Sequence, residues 1–185
     1  MFTAWKLLVR LQCGPPTLLA LVACSAGCAA PFGTAPLSAR AFFEARAGLS
    51  IGGVALLTQD AGELRVAIDV VDAPPGVHGV HVHDAQSCAE LDALGPGRHY
   101  NPERRAHGDP RTAEHSHAGD LGNIEIDAHG NGHLEFTTRR LSIAIGERDI
   151  VRRVITISEA RDDFTSQPFG ASGPFIACAV ICEAQ

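Results

Sequence analysis

The sequence predicts an all-β domain, an antiparallel sandwich or barrel, and three observations support that prediction. From Ala41 onward apolar residues recur with a period of two, which is the period of a half-buried β-strand. Short alternating segments are separated by turn signals, and the chain contains 19 glycines and 11 prolines. No segment of this region has a helical period.

The clearest strand is the segment 63–71. Val66 and Ile68 would face the core, while Arg65 and Asp69 would face solvent. Seven further strands are expected, at residues 51–57, 77–83, 123–128, 133–138, 141–145, 153–158 and 175–182.

Two long segments between these strands, residues 84–120 and 159–174, have no period and are expected to be loops. Loops of this length inside a compact domain are usually functional or disordered. The first one is rich in metal-ligand residue types, which favours a functional role.

The N-terminal residues are expected to direct export. Lys6 and Arg10 form a positively charged start, and residues 17–23 form a short apolar run. The following segment Leu21-Val-Ala-Cys24 resembles the lipobox of bacterial lipoproteins, in which the cysteine is lipidated and becomes the mature N-terminus. Ordinary signal cleavage near Ala30 is the alternative.

Both alternatives place the protein in an oxidising compartment, the periplasm or cell envelope, where disulfides persist. The expected organisation is a lipoprotein-type signal peptide at 1–23, a flexible tether at 24–37 and one folded domain at 38–185. No apolar run reaches the roughly 18–20 residues of a membrane-spanning helix, so we expect membrane contact only through the lipid. The formal charge of −6 argues against a nucleic-acid partner.

Seven of the nine histidines lie between His78 and Asp120. Imidazole is the commonest protein ligand for metals such as zinc. His81 and His83 are two residues apart on an expected strand, so their side chains leave the same face and can bind one ion. His78 would lie on the other face, where it would pack or support the ligands.

Four residues of the same window form a complete ligand set. Three imidazoles and one carboxylate are typical of a structural zinc site with no position kept for water. The alternative, scattered surface histidines, does not explain why all four occur together. The set is His99, His107, His117 and Asp120.

The motifs follow one another in a fixed order: His78-Gly-Val-His81-Val-His83, Gly97-Arg-His99-Tyr-Asn-Pro102, His107-Gly108, His117-Ala-Gly-Asp-Leu-Gly-Asn123, Arg153, Asp162-Asp163 and Gly173-Pro-Phe-Ile-Ala-Cys178. This order resembles the signature of the copper/zinc superoxide dismutases, from about residue 40 to the end. The resemblance implies an eight-stranded Greek-key barrel with two long functional loops, and the eight strand candidates agree with it.

The resemblance also implies a role for each ligand-type residue. Copper would be bound by His81, His83 and His99, and zinc by His99, His107, His117 and Asp120, with His99 bridging the two metals. Asp162 would connect copper and zinc histidines, and such residues orient metal ligands. Cys88 and Cys178 would form the family disulfide.

Two positions depart from the family pattern. Ser158 stands where the family has its fourth copper-binding histidine, and the register is secure because Arg153 and Asp162 both match. A neutral hydroxyl is a poor copper ligand. Phe175 stands where the family has an arginine that guides the anion, and a phenyl ring supplies neither charge nor donors.

Another histidine could replace the missing ligand. His115 is the candidate, because it lies in the loop beside the zinc ligands, whereas His129 and His133 flank a turn expected to lie away from the site. The family disulfide between Cys88 and Cys178 does not include Cys182. It would be a buried small apolar residue, pair with Cys28, or link subunits.

Two functions are therefore considered. The first is an exported Cu/Zn superoxide dismutase with superoxide as its small substrate, zinc and a weakened copper site as cofactors, and reduced turnover. The second is a non-catalytic, zinc-stabilised envelope lipoprotein or weak copper-binding protein on the same fold. A homodimer is the assembly considered.

Overall fold

The computed structural model describes residues 36–46, 48–94, 98–112 and 115–184. The predicted signal peptide and all but the last two residues of the predicted tether lie outside these ranges. Ten strands and one helix are formed in this part of the chain. They are β1 (Leu37–Phe42), β2 (Glu44–Ala45), β3 (Gly52–Asp60), β4 (Glu63–Val71), β5 (Gly76–His83), α1 (Cys88–Leu94), β6 (Asp120–Ile126), β7 (Gly132–Thr138), β8 (Val154–Ser158), β9 (Phe175–Val180) and β10 (Cys182–Glu183).

The strands close into an antiparallel barrel. Their order in the sheet is β10-β1-β3-β4-β7-β6-β5-β8-β9-β2. Strand β2 continues β1 after one residue, and β10 continues β9 in the same way. Because β1 pairs with both β3 and β10, and β2 pairs with β9, the first and last strands join the two edges of the sheet. Closure removes the free edges that would otherwise attract other chains.

Alternation along β4 produces the core. Leu64, Val66, Ile68 and Val70 point inward, and each is at most 2% exposed. The residues between them face outward, as the period of two requires. The expected all-β antiparallel fold is confirmed. Seven of the eight expected strands form, and the other three strands are β1, which was not expected, and the two-residue continuations β2 and β10.

The expected strand at 141–145 is wrong. Leu141 and Ile143 are buried, but only Ser142 forms a ladder contact, an isolated bridge to Asp149. The backbone N–H of Ile143 instead donates to the side chain of Gln59. The alternation of apolar residues here reflects burial of Leu141 and Ile143, and burial does not require pairing with a neighbouring strand.

The expectation that the folded region has no helix is also wrong, because α1 forms inside the first long loop. The Ser87 hydroxyl accepts a hydrogen bond from the Glu90 N–H at 3.1 Å, and the Glu90 carboxylate accepts one from the Gln86 N–H at 2.7 Å. This spacing of serine and glutamate is a helix-start signal that the sequence carries. This helix, the one helix in the described part of the chain, is not long and apolar enough to cross a membrane.

A disulfide between Cys88 and Cys178 ties α1 to β9 across a sequence separation of 90 residues. Cys182 is also disulfide-bonded, so its interpretation as a buried free thiol is wrong. The predicted partner Cys28 lies outside the described residues.

Replacing both Cys88 and Cys178 with alanine is expected to lower the free energy of unfolding by about 2–5 kcal/mol, because the unfolded chain regains the freedom of a long loop. Urea unfolding of the zinc-loaded protein measures this. Under the same conditions, unchanged stability would contradict a structural role for this bond.

Candidate metal centre

The metal-ligand side chains come from β5, from the loop after it, and from the start of β6. The alternation of β5 places His81 and His83 on one face, as predicted, and both are buried. The loop brings three more histidines against that face, and Asp120 opens β6. Two groups result, each with its ligand atoms within 4.8 Å of one another: His99, His107, His117 and Asp120, and His81, His83 and His99.

In the four-residue group the ligand atoms surround one point. Oδ1 of Asp120 lies 2.8 Å from Nδ1 of His99 and 3.3 Å from Nδ1 of His117. Oδ2 lies 3.2 Å from Nδ1 of His107, and the His99 and His117 Nδ1 atoms are 3.3 Å apart. Ligands about 2.0–2.1 Å from a tetrahedral zinc are separated by roughly 3.3 Å. The donor set and its spacing therefore fit zinc.

The hydrogen bonds leave the right atoms available for metals. Nδ1 of His81, His83 and His107 is buried and makes no hydrogen bond in the structure. Buried polar atoms without partners are rare, and a missing ion is a recognised reason for them. His107 Nδ1 lies near Asp120 without a hydrogen-bonding angle, as two ligands of one ion would. These orphaned atoms fit a bound metal in both groups.

His99 belongs to both groups and is the connection between them. Its ring stacks on His81 at a centroid distance of 3.9 Å. Burial, and then the neighbouring His81, lower the pKa of His99 to about 4 against the opposing effect of Asp120. Burial also lowers the pKa of His83 well below its usual value. Both imidazoles are therefore neutral near pH 7, the form that binds metals.

The carboxylate of the four-residue group is charged. Desolvation alone would raise the pKa of Asp120, but the close side chains of His107, His117 and His99 outweigh it and hold that pKa far below its usual range. Desolvation likewise lowers the pKa of His107, but Asp120 and Asp162 reverse this and raise it to about 9. Metal binding at this group therefore competes with a proton on His107.

Asp162, on the second long loop, holds the two groups in relation to each other. Its Oδ2 accepts a hydrogen bond from His81 Nε2 at 2.8 Å, and its Oδ1 accepts one from His107 Nε2 at 2.9 Å. Since Nε2 carries the proton in each ring, Nδ1 keeps the lone pair for a metal. This is the arrangement that the family resemblance implies for Asp162.

Gly170 makes that arrangement possible. Its φ is +66°, in the left-handed region that favours glycine. A Cβ at this position would lie 1.9 Å from Oδ1 of Asp162 and 2.5 Å from Nε2 of His107. The loop backbone therefore packs directly on the hydrogen bond that orients a zinc-group histidine.

Gly170→Ala is expected to lower zinc affinity by about 10–100-fold, the usual cost of disturbing a group that orients metal ligands. The added methyl group must push Asp162 away from His107. Competition with a zinc chelator measures the affinity. Gly62→Ala is the control, because Gly62 also has a positive φ, +76°, but has open space around it. Equal zinc affinity in the two variants would contradict this role.

The remaining histidines join neither group among the described residues. His78 is buried and bonds the backbone carbonyls of Ser158 and Pro74, each at 2.9 Å, so it anchors strand ends. His133 pairs on the surface with Asp69. His129 lies in an exposed turn, and His115 is exposed as well. The structure thus offers no histidine to replace the missing ligand.

Ser158 lies at the end of β8 and is 4% exposed. Strand register places it opposite Phe175 on β9. The two residues line a small cavity together with His83, His99 and Phe169. Where the family has a ligand and an arginine, this chain has one hydroxyl and two phenyl rings.

Two residues that the sequence analysis missed hold the loop that carries the zinc ligands. Arg140 donates to Glu103 and to both the hydroxyl and the carbonyl oxygen of Ser116, next to His117. Gln167 exchanges two hydrogen bonds with the His107 backbone, at 2.8 and 3.0 Å. No local sequence signal marks either residue, because the partners are 24 to 60 positions apart.

Fold and site together define a class of protein: an antiparallel β-barrel that carries two buried histidine groups joined by a shared histidine and a carboxylate. The chain belongs to the copper/zinc superoxide dismutase family, whose model, described as "Copper/zinc superoxide dismutase (SODC)", matches residues 51–181. Zinc and copper are accordingly its cofactors, and the four-residue and three-residue groups fit them.

Individual relatives agree with the family. A Cu-Zn superoxide dismutase of Onchocerca volvulus is 30% identical over 145 residues, which cover 72% of this chain and 90% of the relative. The copper chaperone for superoxide dismutase of Mus musculus is 32% identical over 141 residues, 72% of this chain and 49% of the relative. Among solved structures, the clock protein EA4 aligns with a TM-score of 0.70 at 30% identity, covering 85% of this chain and 100% of that chain.

Proposed function

We propose that this protein is an exported superoxide dismutase that converts superoxide to oxygen and hydrogen peroxide at a copper site beside a structural zinc, with reduced turnover. One observation carries the proposal: His99 is shared by two buried ligand groups, and Asp162 fastens the same two groups together. A lone zinc site needs neither feature.

Each residue of the site would have a distinct role in binding the two metals. Nδ1 of His81, with His83 and His99, would hold the copper, which supplies the one-electron chemistry. His107, His117 and Asp120 would complete the zinc site with His99 and keep the loop in place. Asp162 holds the Nε2 protons of His81 and His107, so that each ring presents its Nδ1 to the metal.

Two residues support the reduced turnover. Ser158 leaves three imidazoles for copper, so the ion is held less firmly and in a less defined position. Phe175, with Phe169, covers the approach to His83 and His99 with apolar surface. These two phenyl rings offer an approaching anion neither a positive charge nor a hydrogen-bond donor, so they cannot steer superoxide electrostatically.

The test is metal content after loading with copper and zinc, followed by a superoxide assay on the same sample. We expect one copper and one zinc per chain, and a superoxide turnover well above that of buffer without protein. Zinc alone with no turnover would overturn the proposal.

The second candidate function is a non-catalytic, zinc-stabilised envelope protein that binds copper weakly. The observation that favours it is the contrast between the groups: the zinc ligands are complete, whereas Ser158 and Phe175 both weaken the copper side. Similarity to copper chaperones for superoxide dismutase is compatible with it. Copper bound without any turnover would select this candidate.

We further propose export to the periplasm or cell envelope with a lipid on Cys24. The Cys88–Cys178 disulfide supports an oxidising compartment. Cys24→Ala is expected to release the protein from the membrane fraction into the soluble fraction, and unchanged fractionation would contradict the lipid anchor. The homodimer stays a prediction, which sedimentation analysis tests.

A further inference from the structure

A cavity of about 480 Å³ shares Phe169 and Phe175 with the small cavity that His83 and His99 line, and none of the metal ligands lines the larger cavity itself. Its walls come from α1, from the start of β9 and from the loop between β8 and β9. Leu91, Pro168, Phe169, Pro174 and Phe175 make most of the wall apolar. A volume of several hundred Å³ and an apolar lining with few polar groups are typical of small-molecule sites.

The walls of this cavity are held in place before any ligand arrives. The disulfide fixes α1 to β9. The loop is fastened at both ends, because Glu159 N–H donates to the Pro174 carbonyl at 2.8 Å and Ala160 N–H to the Ser172 carbonyl at 2.9 Å. Gln167 bonds the loop to the backbone of His107. A pre-formed site avoids much of the ordering cost of binding.

Arg46 is the one cationic residue and Asp92 the one acidic residue among the described residues that line the cavity. The Arg46 guanidinium lies 5.2 Å from the centroid of the Phe175 ring and so extends the aromatic wall. Its nearest carboxylate, on Asp92, is 3.7 Å away, too far for a hydrogen bond, and the two side chains are 46% and 52% exposed. An exposed ion pair of this length contributes little, so a carboxylate or sulfonate can compete with Asp92 for the paired donors of the guanidinium.

We propose that this cavity binds a small aromatic anion, with its ring against Phe169 and Phe175 and its carboxylate or similar group on Arg46. The same two phenyl rings line the cavity next to Ser158. The replacement of the family's arginine by Phe175 is therefore part of a binding site. The proposal does not depend on copper binding or on turnover.

The test uses the full mature protein loaded with zinc and two probes, naphthalene-2-carboxylate and the amine naphthalen-2-ylmethylamine. Ligand-observed NMR titration measures the affinity of each. We expect saturable one-to-one binding of the carboxylate with a dissociation constant of about 1 mM or tighter, the value that a ligand of this size supports. The amine is expected to bind at least about tenfold more weakly, because an ammonium group cannot accept the paired hydrogen bonds that the Arg46 guanidinium donates.

Three variants locate the binding. Arg46→Gln is expected to weaken carboxylate binding about tenfold. Ala171→Trp fills the cavity and is expected to abolish binding; because a bulky residue adopts the positive φ of Ala171, 50°, less readily than alanine does, its melting temperature is compared with that of the wild type. Arg40→Gln is the matched control, because Arg40 lies over the Phe42 ring at 5.7 Å without lining the cavity.

Zinc content and thermal melting confirm that each variant is folded. No saturable binding by the folded wild-type protein would overturn the proposal. Binding that Ala171→Trp leaves unchanged, or an amine that binds as tightly as the carboxylate, would overturn it as well.

Discussion

Replacing Ser158 with histidine is expected to raise superoxide turnover by about tenfold or more, which corresponds to a barrier lower by roughly 1.4 kcal/mol. A histidine at this position would enter the small cavity that His83 and His99 also line, and it would complete a set of four imidazoles. Its backbone position is preserved because His78 bonds the Ser158 carbonyl at 2.9 Å. A steady-state superoxide assay with parallel copper titration measures the effect.

Phe175→Arg is expected to raise superoxide turnover further in the Ser158→His variant, but not in the wild-type background. Arginine supplies charge and donors for the anion, and the ring that it replaces lies in the same cavity and would crowd the new imidazole. The added gain should fall with ionic strength, because steering of a charged substrate is screened by salt.

The matched control is Ser158→Asn, a polar side chain that fills similar space without an imidazole. It should leave turnover at the wild-type level. If Ser158→His and the double variant bind copper firmly and turnover still does not rise, these two positions do not limit activity. The non-catalytic function would then be favoured.

Asp120→Ala is expected to abolish zinc retention and to lower the free energy of unfolding by about 3–5 kcal/mol, the cost of breaking a buried ion pair. Asp120 is 1% exposed, and its oxygens lie against three histidines and the His117 N–H. Without zinc the binding energy that also stabilises the fold is lost. The melting temperature should fall by about 10 °C or more, which calorimetry measures together with zinc content.

Asp69→Ala is the control for this prediction. Asp69 also pairs with a histidine, His133, at 2.7 Å, but both side chains are more than half exposed. An exposed pair contributes little to stability, so its melting temperature should match that of the wild type. A smaller difference in melting temperature between Asp120→Ala and the wild type after chelation of zinc than before it would show that part of the loss acts through zinc. A retained zinc ion in Asp120→Ala would contradict the assignment of this ligand.

Much of the barrel could be predicted because burial on one face imposes a period of two, and β4 shows this most clearly. The same signal failed at 141–145, where Leu141 and Ile143 are buried without pairing. It also missed α1, whose seven residues are too few to display a helical period. The capping pair Ser87 and Glu90 was the available signal for that helix.

The chemistry of the site could be predicted from the sequence: the ligand types, the spacing of His81 and His83, and the two departures at Ser158 and Phe175. These are properties of single positions or of neighbours on one strand. Contacts between residues far apart in the sequence, in contrast, depend on the tertiary structure. Asp162 reaches two histidines that lie 81 and 55 positions before it, Arg140 reaches Glu103 and Ser116, and Phe175 joins Arg46 beside a cavity. Contacts of this kind depend on how the barrel closes and where its loops pack, and no local pattern along the chain records either.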